Sequence, residues 1–345
     1  MDDCKDIVLI APDKFKGSLS AAEAARLIAE GLSEAEAGVA GEFLLRPMAD
    51  GGEGMPASLG GVPVISSCDY VGIASAQLCA IPLPDRSSYA LGEAICRICS
   101  GGAKRVFVAV GGTMVADGGA GMLQALGACY YDASGQLIAS QITPRLLANV
   151  SRIDLSALEK AGWRDTLTAL SDVEASLTGP GLSALDFLTQ KGASPEEAVL
   201  IAGSLRRFAM LAAPGRSSAI DGAGGGIGFA LASAIGASWR LGAEAMAETL
   251  DVPWQRVKLI VSGEGSIDSQ TAGGKVVETM RREASKRGIS FAAIGGYVEP
   301  TLRTTAMVST IGRREDYDPA LAATRLRSAA TRLALSITKG AASQE

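Results

Sequence analysis

Four times along this chain an apolar run gives way to glycines beside a carboxylate. The four are Asp50-Gly51-Gly52-Glu53-Gly54, Gly111-Gly112 leading to Asp117-Gly118-Gly119, Asp221 with the glycines up to Gly228, and Gly263-Glu264-Gly265 running to Asp268. Glycine lets the backbone come close to a ligand, and the start of a helix presents bare N–H groups and the positive end of its dipole. Turns of this kind from strand into helix constrain the chain to an alternating α/β pattern, with phosphate as the first ligand expected.

The first unit is read directly. Asp6-Ile7-Val8-Leu9-Ile10 is a buried strand, 12–17 a loop, and Ser20-Ala21-Ala22-Glu23 a capping box that opens a helix with Ala24, Leu27, Ile28 and Leu32 at helical spacing. Residues 42–48 give a second strand ending at the Asp50 loop, so the start is βαβ and its strands are expected to pair in parallel. The middle predicts strands at 62–65, 105–110 and 167–170, a helix from about 88 to 100, loop and turn over 172–191, and a long alanine-rich helical segment from 227 to about 250. After Val257 come a strand, a loop at Gly263, a helix over 275–286, strands at 291–294 and 307–311, and a last helix capped by Asp318-Pro319. The expected fold is therefore two α/β domains: a doubly wound parallel-sheet domain, Rossmann- or flavodoxin-like, from residues 1–62 and 255–345, and an inserted α/β domain over 63–254.

Composition removes several function classes. There is no histidine among the 345 residues, which excludes a Ser-His-Asp triad, a His-ligated zinc and a histidine phospho-carrier. Any general base must be Asp, Glu or Lys. A net charge of −5 argues against a nucleic-acid surface. No charge-free apolar run of about 18 residues exists, and Met-Asp-Asp-Cys-Lys-Asp is not a signal peptide, so a cytoplasmic protein is expected. Six cysteines are scattered, and Cys96 and Cys99 read as one buried helical face.

Neither standard nucleotide motif is present. Gly274-Lys275 is followed by Val276 where a P-loop needs Ser or Thr, and the Gly222, Gly224 spacing meets Ile227 where a dinucleotide fingerprint needs glycine. A phosphate site must then be assembled from several loops. Asp13, Lys14, Lys16 and Ser18 sit just past the first strand, where open α/β sheets bind ligands; a solvated loop is the alternative. Two acids among the glycines of 50–54 suit a ligand or Mg²⁺, or else a capped turn. Asp117 and Asp172 read either as caps or as chemistry, the Gly222 cluster either as close packing or as a cradle. Lys275 at a helix start opposes the dipole unless it holds an anion.

Taken together these segments resemble the type I glycerate kinases over nearly the whole chain. The similarity runs through Ala11-Pro12-Asp13 to Lys16-Gly17-Ser18, Pro47 to Gly54, Asp117 to Gly127, Asp172-Val173, Gln190-Lys191-Gly192-Ala193, the Gly222 cluster, Gly263-Glu264-Gly265, and Asp268 to Lys275 with Gln270-Thr271 inside. The resemblance implies ATP-dependent phosphorylation of D-glycerate in a cleft between the two domains, with 2-phosphoglycerate as the expected product and ATP and Mg²⁺ as cofactors. It implies catalytic roles for Asp50, Asp117, Asp172 and Lys275, with Asp117 or Asp172 taking the hydroxyl proton. Substrate binding would fall to Asp13, Lys14, Lys16, Ser18 and Lys191, and nucleotide or phosphate binding to Gly51, Gly52, Glu53, Gly222, Gly224, Gly225, Gly263, Glu264 and Asp268, with Mg²⁺ on Asp50 and Glu53. Expected partners are glycerate and ATP, with no nucleic acid or membrane, and a homodimer left open. Met55, Ala116, Ala175 and Ser266 stand where the family has Thr, Asn, Asn and Arg. These losses motivate the alternative of a weak or silent paralogue binding a small hydroxy acid or nucleotide; a nicotinamide-dependent oxidoreductase rests only on the α/β pattern and the Gly222 cluster.

Overall fold

The computed structural model describes residues 6–35, 39–268, 275–302, 304 and 307–342, with the side chains of the last helix described as far as Ile337. The chain divides into two compact units, Met1–Asp50 with Ala243–Glu345, and Gly51–Gly242. The boundaries expected at 62/63 and 254/255 fall later along the chain than these. Two local facts place them earlier: the strand Val62–Ser66 pairs with Val106–Ala109 in the second unit, and Ala243 and Ala247 pack with Ile7 and Leu9 in the first.

A five-stranded parallel sheet organises the first unit, in the spatial order Met307–Ser309, Ser290–Val298, Val257–Ile267, Ile7–Ile10, Glu42–Leu45. The first strand is buried throughout, and its period of two sends side chains to both faces. Val8 and Ile10 meet Ile28, Leu32, Leu326 and Leu333 of the helices Ala21–Glu34 and Ala322–Ala342 on one face; Ile7 and Leu9 meet Val276 and Met280 of Val276–Arg287 on the other. Gly31 is where the first pair of helices touches, since a Cβ there would lie 2.2 Å from the Arg327 carbonyl oxygen. The capping box forms as read: the Ser20 side chain accepts from the Glu23 amide and Glu23 accepts from the Ser20 amide, worth about 1 kcal/mol. Among the sheet's strands, taken in chain order, the order is 2-1-3-4-5. It reverses between Ile7–Ile10 and Val257–Ile267, the place where such sheets open a crevice at the carboxyl ends of the strands.

The second unit carries its own sheet, in the order Ser58–Leu59, Val62–Ser66, Val106–Ala109, Leu167–Ser171, Ser238–Leu241, parallel after the first antiparallel pair. A small antiparallel pair, Cys129–Tyr131 with Arg152–Asp154, lies outside it.

Two sequence expectations are corrected, and one helix is added. The alanine-rich stretch from 227 is not one helix: a short helical turn and a π-helical run, Ile227–Phe229 and Ala230–Ile235, stop at Gly236 (φ 80°), and Ser238–Leu241 becomes an edge strand before the helix Gly242–Glu248. Helix Pro195–Ala212 was not anticipated, although Ser194, Pro195 and Glu197 spell its capping box and first turn. Gly263-Glu264-Gly265 is no turn, because the strand Val257–Ile267 runs straight through it. Its glycine has a packing cause: a Cβ on Gly263 would lie 2.6 Å from the Ile294 carbonyl oxygen of the neighbouring strand.

Candidate functional site

At the point of reversal in the first sheet lies a cavity of about 400 Å³, lined within this unit by Asp13, Lys14, Lys16, Ser18, Asp50, Glu264 and Lys275. The loop after the first strand is moored over the third: the Asp13 amide donates to the Gly263 carbonyl at 2.8 Å, and the Ser262 hydroxyl to the Ala11 carbonyl at 2.8 Å. Ser18 donates to the Phe15 carbonyl and tightens the turn. The second strand ends nearby, with the Met48 amide donating to the Pro12 carbonyl at 2.9 Å, which brings Asp50 in.

The result is a carboxylate pair around one ammonium. Lys14 Nζ lies 3.5 Å from Asp13 Oδ1 and 3.4 Å from Asp50 Oδ1. Asp13 is only 4% exposed, and its carboxyl is pushed up to about 7 by burial and then by the Asp50 charge, against the opposing pull of Lys14. Two clustered acids with a single cation between them leave negative charge poorly compensated, an arrangement that a divalent ion relieves. Glu53, expected to share a metal with Asp50, is exposed in the second unit, where its charge helps raise the Cys68 thiol; the carboxylate set beside Asp50 is Asp13. Among the described residues no group of three or more His, Cys, Asp or Glu is arranged to hold a metal ion.

Sequence reasoning missed the far wall of this cavity. Tyr297, Arg314, Tyr317 and Arg325 line it, the last three past the carboxyl end of the edge strand Met307–Ser309. The signal available was Gly312-Arg313-Arg314, a basic pair just after a strand. Arg314 donates to Asp268, the carboxylate expected on the nucleotide side, at 2.7 Å and stacks over Tyr297. Residues 269–274, with Gln270-Thr271, lie outside the described residues.

The second unit gathers Asp117, Asp172, Lys191 and the remaining glycines, and here most of the acids and glycines serve the fold. Asp117 is fully buried and accepts from the Ser88 amide (2.8 Å) and hydroxyl (2.7 Å) and from the Gly119 and Gly121 amides (3.1 Å each), at the start of helix Ala120–Ala125. Burial raises its carboxyl and these donors oppose the rise. The Gly222 cluster is close packing, not an open cradle: a Cβ on Gly222, Gly224 or Gly225 would lie 2.1, 2.3 or 2.0 Å from the carbonyl oxygens of Ser176, Val110 and Val115. Asp221 is bound by the Ser218 amide and the Ser233 hydroxyl. Gly51 meets the Ser171 backbone, and Gly111 lies against Gly52 and the Asp172 carboxylate. Lys191 is buried, donating to Thr113 Oγ1 at 3.1 Å and the Val115 carbonyl at 2.8 Å; burial lowers its ammonium to about 8, with Asp117 and then Asp172 pulling it back.

The residues that set this chain apart from the resemblance are placed as well. Ala116 and Ala175 are buried and apolar, Met55 is half-buried, and Ser266 lines the cavity. Two of the missing amides have thus been exchanged for packing. The described cysteines are all free; Cys96 and Cys99, expected on a buried helical face, are half-buried and pack against the core, with that partial burial raising their thiols. Among the described residues no helix is long and apolar enough to cross a membrane.

Comparison with known proteins supplies the family. The sequence model of the Glycerate kinase family matches residues 8–63 and 62–338. The Glycerate kinase of Bacillus subtilis (strain 168) is 31% identical, over 84% of this chain and 85% of its own, and the Glycerate 2-kinase of Escherichia coli (strain K12) is 30% identical, over 78% and 79%. A crystal structure described as glycerate kinase 2 from Salmonella typhimurium LT2 superposes with a TM-score of 0.70 at 30% identity, covering 97% of this chain and 99% of that one. On these matches, and on the two α/β units that carry them, the chain belongs to the glycerate kinase family and is a phosphotransferase of the kinase class.

Proposed function

We propose that this protein transfers the γ-phosphoryl group of ATP to D-glycerate in a Mg²⁺-dependent reaction in the cytoplasm, yielding 2-phosphoglycerate. The observation that carries the reading is the Asp13, Lys14, Asp50 cluster at the point of strand-order reversal, opening on a cavity with further cations. Mg²⁺ is ordinarily held by one or two carboxylates and completes its shell with water and phosphate oxygens, so a pair of acids without a third protein ligand fits it. When bound it would neutralise charge on the transferring group. Asp13 and Asp50 would hold it. Lys14, fixed between them, would keep an ammonium at the phosphate, while Lys16 and Lys275 add charge along the cavity. The volume, about 400 Å³, suits a nucleotide better than a three-carbon acid. Of the acids expected to take the hydroxyl proton, Asp172 is the better placed: it is half-buried, with the Lys191 ammonium acting on it, whereas Asp117 is committed to four donors. The name of the Escherichia coli relative, Glycerate 2-kinase, supports attack by the C2 hydroxyl.

Purified protein with ATP, MgCl₂ and D-glycerate should release ADP, and ³¹P-coupled proton NMR of the product should place phosphate on C2. ADP release that is indifferent to D-glycerate, or a product phosphorylated only at C3, would overturn the corresponding part.

A further inference from the structure

We propose that Arg314 is an anion-binding residue of the first unit's cavity, where its guanidinium grips the phosphate tail of the nucleotide. The inference rests on the kinase reading above and adds a residue to it. Arg314 is restrained on several sides: Nη2 donates to Asp268 Oδ2 at 2.7 Å, Nη1 lies 3.5 Å from the Ser266 hydroxyl, and the guanidinium stacks 4.7 Å from the Tyr297 ring centroid. An exposed ion pair contributes little to stability and does not usually hold a long side chain in one place. Here a carboxylate and an aromatic face fix the plane of the fork, while the side chain remains 56% exposed on the cavity wall. A fixed planar fork is matched to phosphate oxygens, which it can bind in pairs. Lys16, Lys275 and Arg325 line the same cavity, together with the acids Asp13, Asp50, Glu264 and Asp318, so cations for more than one phosphate oxygen stand beside carboxylates suited to a divalent ion.

The contact with Ser266 gives the proposal a sharper form. An arginine grown from position 266 would start beside the guanidinium of Arg314 and could fill the same volume, so the cation is expected to be transferable between the two positions. Arg314→Ala should raise KM for ATP about tenfold or more, with KM for D-glycerate within twofold and a smaller change in kcat. Arg314→Lys should fall between, having lost the fork but kept the charge. Ser266→Arg combined with Arg314→Ala should recover most of the ATP affinity. Tripolyphosphate binding, measured by calorimetry on wild type and Arg314→Ala, separates this proposal from the choice of acceptor. Weaker tripolyphosphate binding in the variant supports the anion site even if glycerate proves not to be the substrate. Equal binding, an unchanged KM for ATP, or a defect confined to D-glycerate would overturn it, and a fall in melting temperature of Arg314→Ala with unchanged tripolyphosphate affinity would assign the residue to the fold alone.

Discussion

The two units put the same residue type, an aspartate in a loop, to opposite ends. In the first unit Asp13 and Asp50 share one lysine and face a cavity; in the second, Asp117 and Asp221 are turned inward onto amides and hydroxyls. Strand order explains the difference. The first sheet reverses direction of growth between its first and third strands and leaves a crevice there, whereas the second adds strands in one direction from Val62–Ser66 to Ser238–Leu241, with its loops packed on one another. A carboxylate saturated by backbone and hydroxyl donors holds a fold together, and one paired with a lysine at a cavity wall is available to a ligand.

The sharpest way to break this contrast is through activity. Asp50→Asn keeps the shape of the side chain but removes its charge from the Lys14 pair, and kcat should fall about 10²–10³-fold with the melting temperature little changed. A variant within threefold of wild type in kcat would remove Asp50 from the chemistry. Next in size is Asp117→Ala, which strands three buried amides, of Ser88, Gly119 and Gly121, and the Ser88 hydroxyl beside the start of helix Ala120–Ala125. The expected cost is about 3 kcal/mol or more, a fall of roughly 10 °C in the transition of the second unit. If calorimetry shows no shift while turnover disappears, Asp117 belongs with the reacting groups after all.

The smallest effect is a pH dependence at Asp13. Its carboxyl titrates at about 7 in the folded protein, against an ordinary value of 3.8. The folded state therefore binds the extra proton between those values, and stability is full below about pH 4 and is lost as pH rises through 7. Asp13→Asn should flatten that slope, matching wild type near pH 4 and exceeding it by a few kcal/mol at most near pH 8, while losing the stabilisation that added Mg²⁺ gives wild type. Parallel melting curves for the two proteins across that range, without metal, would contradict the charge crowding described here.

Much of the first unit was legible because its signals are local. The apolar run Ile7–Ile10, the Ser20 to Glu23 capping box and the clean alternation after Val257 each depend on a few adjacent residues. The grouping of Asp13, Lys14, Lys16, Ser18, Asp50 and Lys275 on one cavity follows from strands that end side by side, once their order is known. What escaped was governed by distant partners. Ser238–Leu241 is a strand because Leu167–Ser171 offers it an edge, and Glu264 lies in a strand because Ser290–Val298 runs beside it with glycine-close backbone.

By itself the sequence determined the alternation of strand and helix, the absence of histidine chemistry, and which stretches carry acids, lysines and glycines. Only the tertiary structure decided which acids are spent on the fold and which face a cavity, and it alone brought Arg314 to Ser266 across 48 residues of chain. The physical reason is that residue type fixes what a side chain can donate or accept, but its partners are chosen by packing, and a carboxylate's role depends on whether amides or water and ligand reach it first.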